Sequence, residues 1–283
     1  MPKPFDIEIK GSIAHIQFNR PEKRNSLNED FWNLFPKEVE DLDDRGDIRA
    51  LIISSQGPHF TAGIDLAMLK NDQENLNSGE MGRNRAYFRQ QIIYLQKIAT
   101  CLELVRFPVI TAIQGGCIGG GIDLICAADI RLCSKDAFFK VEEINVGLAA
   151  DIGTLQRLPK IIPAGIAREW ALTGDSVDAK RAHEVGLINY VYDSQDEMMN
   201  SSFEMADKLA SKSPLAMWAT KENLNYARDH TVEEGLNYVS LWNAATLHQE
   251  DIMTSMSAKL TKQKPEYKNL RDKNFLNHKE PKK

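Results

Sequence analysis

From Phe5 to Phe18, FDIEIKGSIAHIQF, apolar and polar positions alternate on both sides of Lys10-Gly11, which predicts two strands joined there. NRPEKRNSLNED is rich in Asn, Arg and Pro and reads as a loop leading into a helix over 29–44. IRALIIS, residues 48–54, is a short continuous apolar run, the pattern of a buried strand. QGPHFTAGIDLAML follows as a loop, with a helix expected to begin near Ile64. Residues 84–105 place apolar side chains at 88, 92, 95, 99 and 102, a helical stripe that stops before Pro108.

VITAIQG is the next buried strand, GGCIGGG a turn, and IDLICAADIRLC a helix running into a further strand. After DAFFKV the chain enters a loop from Glu143 to Asp151 and then a helix, GTLQRL. REWALTGDSVDAKRAHEVGLINYVY predicts two short helices and a strand. Strand and helix alternate to about residue 192, which indicates an α/β core. The remainder is helical in pattern and more polar. The chain therefore divides into a core, 1–199, and a C-terminal helical region, 200–283.

Composition sharpens this only in part. A chain of 283 residues, 42% hydrophobic and 27% charged, is an ordinary soluble globular protein able to bury a sizeable core. A net charge of −5 opposes nucleic-acid binding by bulk electrostatics. From Ser255 onward, however, nine Lys or Arg face three Asp or Glu, a basic tail that is either solvated or meets an anionic ligand. Cys101, Cys117, Cys126 and Cys133 lie in apolar segments without CxxC spacing, as reduced thiols do. The six histidines are scattered, so no metal site is expected. MPKPFDIEIKG has no apolar or Arg-rich leader character, and the apolar run 109–128 holds five glycines and Asp123, a poor membrane span. A cytoplasmic location without a membrane partner is expected.

Three acids stand out against this background. Asp123 sits in GGGIDLICAADI, and Glu143 and Asp151 flank small and aliphatic residues in VEEINVGLAADIG. A buried, unpaired carboxylate costs several kcal/mol on the order given by desolvation. Each acid has a plain structural reading: Asp151 as the cap of the helix that follows, Glu143 or Glu142 as a solvated loop residue, Asp123 as a partner of Arg131 or another cation. The glycine loop GGCIGGGIDL offers no GxGxxG, and its Walker-like spacing is followed by Gly121 instead of Lys, so nucleotide binding is unsupported. What remains is a glycine-lined helix start whose free N–H groups point outward; TAGIDL, at 61–66, is a second. Two such donors converging would form an oxyanion hole, and taken singly each is also an ordinary tight turn.

Taken in order, FNRPEKRNSL (18–27), HFTAGIDL (59–66), ITAIQGGCIGGGIDLICAADIRL (110–132) and VGLAADIGTLQRLP (146–159) resemble the crotonase, or enoyl-CoA hydratase/isomerase, superfamily. LTGDSVDAKRAHEVGLINYV (172–191), SPLAMWATK (213–221) and AKLTKQKPEY (258–267) extend the resemblance over nearly the whole chain. It implies a spiral core of ββα turns, a C-terminal helical region that builds homotrimers or hexamers, and acyl-CoA substrates, with coenzyme A part of the substrate and no separate cofactor. It also implies an oxyanion hole from the backbone of Ile64 and Gly120, and CoA contacts from Arg24, from Ala62, Gly63, Ile64, Asp65 and Leu66, and from Lys259 or a neighbouring tail lysine.

Hydratases of the superfamily typically carry Glu at the position of Asp123, Glu at Glu143 and glycine at Asp151. The triplet Asp123, Glu143, Asp151 with GLAADIGTLQRLPK instead resembles the dienoyl-CoA isomerase branch, whose members convert 3,5-dienoyl-CoA to 2,4-dienoyl-CoA during degradation of unsaturated fatty acids. Moving a proton from C2 to C6 needs one ionised and one protonated group, one at each end. On this reading Asp151 takes the proton from C2, Glu143 delivers one to C6, and Asp123 adds negative charge beside them. The alternatives are enoyl-CoA hydratase, Δ3-Δ2-enoyl-CoA isomerase, and a non-catalytic CoA-thioester or RNA binder. The loop 72–85 is expected to shape the acyl pocket.

Overall fold

The computed structural model describes residues 3–68 and 80–273. In chain order the strands are β1 (Phe5–Lys10), β2 (Ile13–Phe18), β3 (Ala50–Ser55), β4 (Val109–Ile113), β5 (Gly116–Ile118), β6 (Ile130–Ser134), β7 (Phe138–Lys140), β8 (Val177–Asp178) and β9 (Tyr190–Tyr192). The helices are α1 (Glu29–Asp44), α2 (Met81–Leu95), α3 (Lys97–Leu104), α4 (Gly120–Ala127), α5 (Thr154–Ile161), α6 (Ala164–Thr173) and α7 (Ala179–Glu184). Then come α8 (Gln195–Ala210), α9 (Pro214–Asp229), α10 (Val232–Thr246) and α11 (Gln249–Thr261).

Six strands form one sheet in the order β1-β2-β3-β4-β6-β9, antiparallel only between β1 and β2. A small second sheet, β5-β7-β8, lies beside it. The continuous apolar run of β3 follows from burial on both faces, as in parallel sheets generally. Leu51 and Ile53 join the main core, whereas Ala50 and Ile52 turn to a second cluster on the opposite face. Residues Ile110, Ala112 and Leu132 share that opposite face with Met198 and Ala206 of α8. So α8 roofs the sheet, and the expected boundary at 199/200 falls inside this helix. The core extends to about its last residue because the second apolar face needs a cover.

Three other local expectations change. The stripe over 84–105 is two helices, interrupted at Gln96: the first buries no residue, and the second buries Ile98, Ala99, Cys101 and Leu102. GGCIGGG is not only a turn, since Gly116–Ile118 pairs with β7 as a strand before α4 begins. Of the expected pocket loop 72–85, residues 72–79 lie outside the described residues, and Met81 onward is helical with Glu80 as its cap.

The C-terminal helices are fastened by charge as well as by apolar packing. Lys221 of α9 is buried, and its ammonium donates to the carbonyls of Leu102 (2.7 Å) and Phe107 (3.0 Å) and to Asp129 Oδ2 (2.8 Å). Asp129 in turn accepts the Val109 N–H at the start of β4. Lys221→Ala is expected to destabilise the chain by about 2–3 kcal/mol, less than the ~3–5 typical of a fully buried pair because Asp129 keeps some access to water. Urea denaturation reads this, and a change within error of zero would show that the helix is held by its apolar contacts alone.

Candidate active site

The site forms where loops leave the C-terminal ends of adjacent parallel strands. The segment after β3 and the segment after β4 are stitched together by isolated bridges, Leu27 with Ile64 and Thr61 with Cys117. Thr61 N–H donates to Gly116 O (3.0 Å) and Ile118 N–H to Thr61 O (3.1 Å). On the other side, Leu27 N–H donates to Gly63 O (2.8 Å) and Asp65 N–H to Leu27 O (3.0 Å). Ile64 therefore sits in a short strand pairing and does not open a helix; the helical turn starts at Leu66. The strand pairing wins because both neighbours of Ile64 are already bonded to Leu27.

This stitching brings Gly63 against the start of α4. A β-carbon added at Gly63 (φ 82°) would lie 2.9 Å from Ile118 O and 3.5 Å from Gly120 N. Only glycine permits that approach in that conformation. The N–H groups of Ile64 and Gly120 find no acceptor among the described residues. They are the two donors expected from the sequence, carried on segments that touch.

The three acids border the same place. Asp123 lies one turn into α4 with no exposed surface, and its Oδ1 accepts from Thr154 N (2.6 Å) and Thr154 Oγ1 (2.7 Å). The expected partner, Arg131, is occupied elsewhere, donating to the carbonyls of Leu187 (2.6 Å) and Ala128 (2.6 Å). Asp123 thus caps α5 from a different helix. Asp151 does not cap it: the residue before α5 is Gly153, and the first N–H of the helix is taken by Asp123. Among the described residues Asp123 Oδ2 is buried without a hydrogen-bond partner.

Glu143 opens a 3₁₀ turn (Glu143–Val146) that follows β7. It is not a solvated loop acid. Glu142 takes that part, pairing with Lys140 (2.7 Å), whereas Glu143 Oε2 is buried with no hydrogen-bond partner among the described residues. Its Oε1 lies 3.1 Å from where a β-carbon on Gly119 would stand. Gly119 has φ 53° and directly precedes the Gly120 donor. The turn is fixed by Asn145, whose amide donates to Gly174 O (3.0 Å). Asp151 stands at the exposed rim of its loop, and its backbone carbonyl accepts from Gln96 Nε2 (2.8 Å).

Electrostatics set these acids apart from the rest of the chain. Burial pushes the Asp123 carboxyl up to about 6, against the pull of the Thr154 hydrogen bonds and the Arg157 charge. Burial, then the charges of Asp123 and Asp151, push Glu143 up to about 7. Partial burial raises Asp151 too. By contrast, Glu103 is held below its ordinary value, because hydrogen bonds and charges from Arg157 and Arg228 outweigh its burial. Acids with raised pKa values beside unpaired N–H donors suit proton transfer next to a carbonyl.

The expected CoA residues are only partly gathered. Arg24 is exposed in a left-handed conformation, and its carbonyl accepts the Ala62 N–H (2.9 Å), so Arg24 and the 62–66 segment are neighbours. Asp65 is engaged by Arg20 and Ser26 (both 3.3 Å). Leu66 is exposed. Lys259 lies exposed in α11, and no bond among the described residues joins it to these loops. Sequence reading missed Thr154, Gln96 and Arg157 around the acids; Thr154 and Arg157 stand in the quoted GTLQRL run, but nothing local marks their partners.

The raised Asp123 pKa has a consequence for stability. Asp123 binds its proton more tightly folded than unfolded, so its contribution to stability is full below the ordinary carboxylate range and is lost as pH rises through about 6. Asp123→Asn keeps an acceptor for Thr154 and removes the charge. The variant is expected to be more stable than wild type at about pH 8, by on the order of 2–3 kcal/mol, with the gain fading toward pH 4. An equal gain at both pH values in urea titrations would sink this account.

The family model for enoyl-CoA hydratase/isomerase matches residues 8–271. A rat protein named Δ3,5-Δ2,4-dienoyl-CoA isomerase, mitochondrial, is 43% identical over 251 residues, which are 88% of this chain and 77% of that protein. An Arabidopsis thaliana protein named as the peroxisomal isomerase is 42% identical over 260 residues, 92% of this chain and 94% of the other. Among solved structures, an enoyl-CoA hydratase from Bacillus anthracis superposes with a TM-score of 0.83 at 25% identity, covering 94% of this chain and 99% of that one. The match over nearly the full length places this chain in the enoyl-CoA hydratase/isomerase family.

Proposed function

We propose that this chain is a dienoyl-CoA isomerase that converts 3,5-dienoyl-CoA to 2,4-dienoyl-CoA, as the names of its relatives state for them. The observation that carries the reading is the third acid. Asp123, Glu143 and Asp151 lie close enough for the charge of Asp151 to raise the other two. Hydration needs carboxylates gathered on one water, whereas a shift from C2 to C6 needs proton carriers at two separated carbons.

Removal of a C2 proton beside the thioester leaves a dienolate with charge on the thioester oxygen. In this reading the Ile64 and Gly120 N–H groups receive that oxygen, and losing one such donor typically costs about 10²–10³ in rate. C2 lies one bond from the carbonyl carbon, so its base must stand next to those donors. The packing of Glu143 on Gly119 supports Glu143 at C2 and Asp151 at C6, the reverse of the direction expected from the sequence. A pKa near 7 also suits a base working at neutral pH. Asp151, at the rim, can exchange its proton with solvent, and Asp123 keeps Glu143 from ionising too readily.

Arg24 and the segment Ala62–Leu66 are the proposed CoA-binding face, supported by their contact through the Arg24 carbonyl. Lys259 would contribute from a neighbouring subunit. Self-association as a trimer or a pair of trimers is supported by Val232, Leu236, Leu241 and Leu260, each more than 60% exposed in the single chain. Free, buried cysteines support a reducing compartment such as the cytoplasm, although the relatives cited are named mitochondrial and peroxisomal. Among the described residues no helix is long and apolar enough to cross a membrane.

Mixing the purified protein with a 3,5-dienoyl-CoA should produce the ultraviolet band of the conjugated 2,4-dienoyl product. Asp151→Asn should lose about 10²–10⁴ of that rate. No band, with turnover of a 2-enoyl-CoA to its 3-hydroxyacyl product, would make the chain a hydratase. The rate constant kcat/KM should rise with pH through about 7 as Glu143 ionises; a profile flat across that range would remove Glu143 as the base. Sedimentation should give three or six times 31.9 kDa, and a monomer at micromolar concentration would end the trimer reading.

A further inference from the structure

The loop that presents Asp151 is gripped by its backbone from two sides. From the α2–α3 junction, Gln96 Nε2 donates to Asp151 O at 2.8 Å. From α5, the Arg157 guanidinium reaches back over the loop, with Nη1 3.4 Å from Ile152 O. It occupies the place where a side chain on Gly153 would project, and Gly153 has φ 138°. Consecutive carbonyls are thus held while the Asp151 carboxylate itself takes no hydrogen bond from another residue among those described.

Arg157 is not free to drift. Its Nη2 donates to Glu103 Oε2 (2.7 Å) and Thr100 Oγ1 (3.3 Å) on α3. The other oxygen of Glu103 is taken by Arg228 of α9. Glu103 is nearly buried, so both oxygens are committed inside the fold. The interruption between α2 and α3, which the helical stripe does not foreshadow, falls at the residue whose side chain reaches the loop.

We propose that Gln96 and Arg157 are positioning residues for Asp151, with Glu103 and Arg228 locking Arg157, so that the C-terminal helical region helps to set the acid serving the far end of the dienolate. This rests on the isomerase reading for the role of Asp151, and on geometry alone for the grip. A carboxylate left unbonded by side chains is free to exchange protons with substrate; its placement must then come from the backbone. Displacing a catalytic group by about an ångström can cost on the order of 10²-fold in rate, so losing one of two grips should cost about tenfold.

The test uses the full-length protein with Gln96→Ala and Arg157→Lys, the second retaining the positive charge near Asp123. Each variant should lower kcat for conjugated-band formation about tenfold with KM nearly unchanged. In deuterated buffer, exchange at the carbon served by Glu143 should persist while transfer at the other carbon falls. Equal loss at both carbons means general damage and overturns the proposal, as does an unchanged kcat. Hydrogen–deuterium exchange of the peptide spanning 148–158, read without substrate, should be faster in both variants. If wild type forms no conjugated band, the isomerase reading fails, and this exchange measurement alone decides whether the two residues hold the loop. Unchanged exchange there would overturn the grip.

Discussion

Two backbone N–H groups can point at one oxygen only where the segments that carry them nearly touch, and the site depends on that approach. A β-carbon on Gly63 would lie 2.9 Å from the carbonyl oxygen of Ile118, too close to fit, and in contact with the amide of Gly120. Parallel pairing of β3 with β4 delivers both segments to the same, C-terminal, end of the strands. The bridges Leu27–Ile64 and Thr61–Cys117 then convert neighbouring loops into short strand pairs. Ligand sites outside the carboxyl ends of parallel strands are general for open α/β sheets. Here the generality has a local cause: the amides of Ala62, Asp65 and Gly119 are bonded to carbonyls and that of Gly63 to Thr61 Oγ1, whereas those of Ile64 and Gly120 find no acceptor among the described residues.

The same crowding explains the acids. Water that would solvate Asp123 and Glu143 is excluded by the packing that holds the donors in place, so their charged forms are disfavoured. Thr154 offsets part of this cost at Asp123 with two hydrogen bonds, and leaves the second oxygen without a partner. Structural acids elsewhere in the chain are treated differently. Asp43 receives Arg106 and Lys273, and Glu103 receives Arg157 and Arg228. These buried carboxylates are paired with cations, whereas the three around the donors have no ion pair among the described residues and their pKa values are raised.

Much of this was legible in the sequence where the signal is local. Alternation gave β1 and β2, and the continuous run IRALIIS marked a strand that is buried on both faces. The glycine turns and the triplet of acids pointed to one site through the family resemblance, and the three acids lie close enough for their charges to act on one another. What failed depended on partners distant in sequence. Nothing near Ile64 tells that Leu27 will bond both its neighbours, so a helix start was the better local guess. Nothing near Asp151 tells that the first N–H of α5 is already claimed by Asp123 from 31 residues away. The division at 199 followed polarity along the chain, whereas the fold needed α8 to cover the second face of the sheet.

The C-terminal region is consequently more than an appendage. Lys221 satisfies two carbonyls and Asp129, which holds the first amide of β4, the strand that leads to the glycine loop. Seven residues along the same helix, Arg228 satisfies Glu103. These two cations, on one helix, therefore reach both halves of the site: Lys221 through the strand before the Gly120 donor, Arg228 through the chain of bonds to the Asp151 loop. If α9 shifted, both connections would break together, leaving Asp129 without its cation and Glu103 with Arg157 alone. That coupling ties the segments carrying the two unbonded N–H groups to the loop carrying Asp151, so both are held through the docking of a single helix.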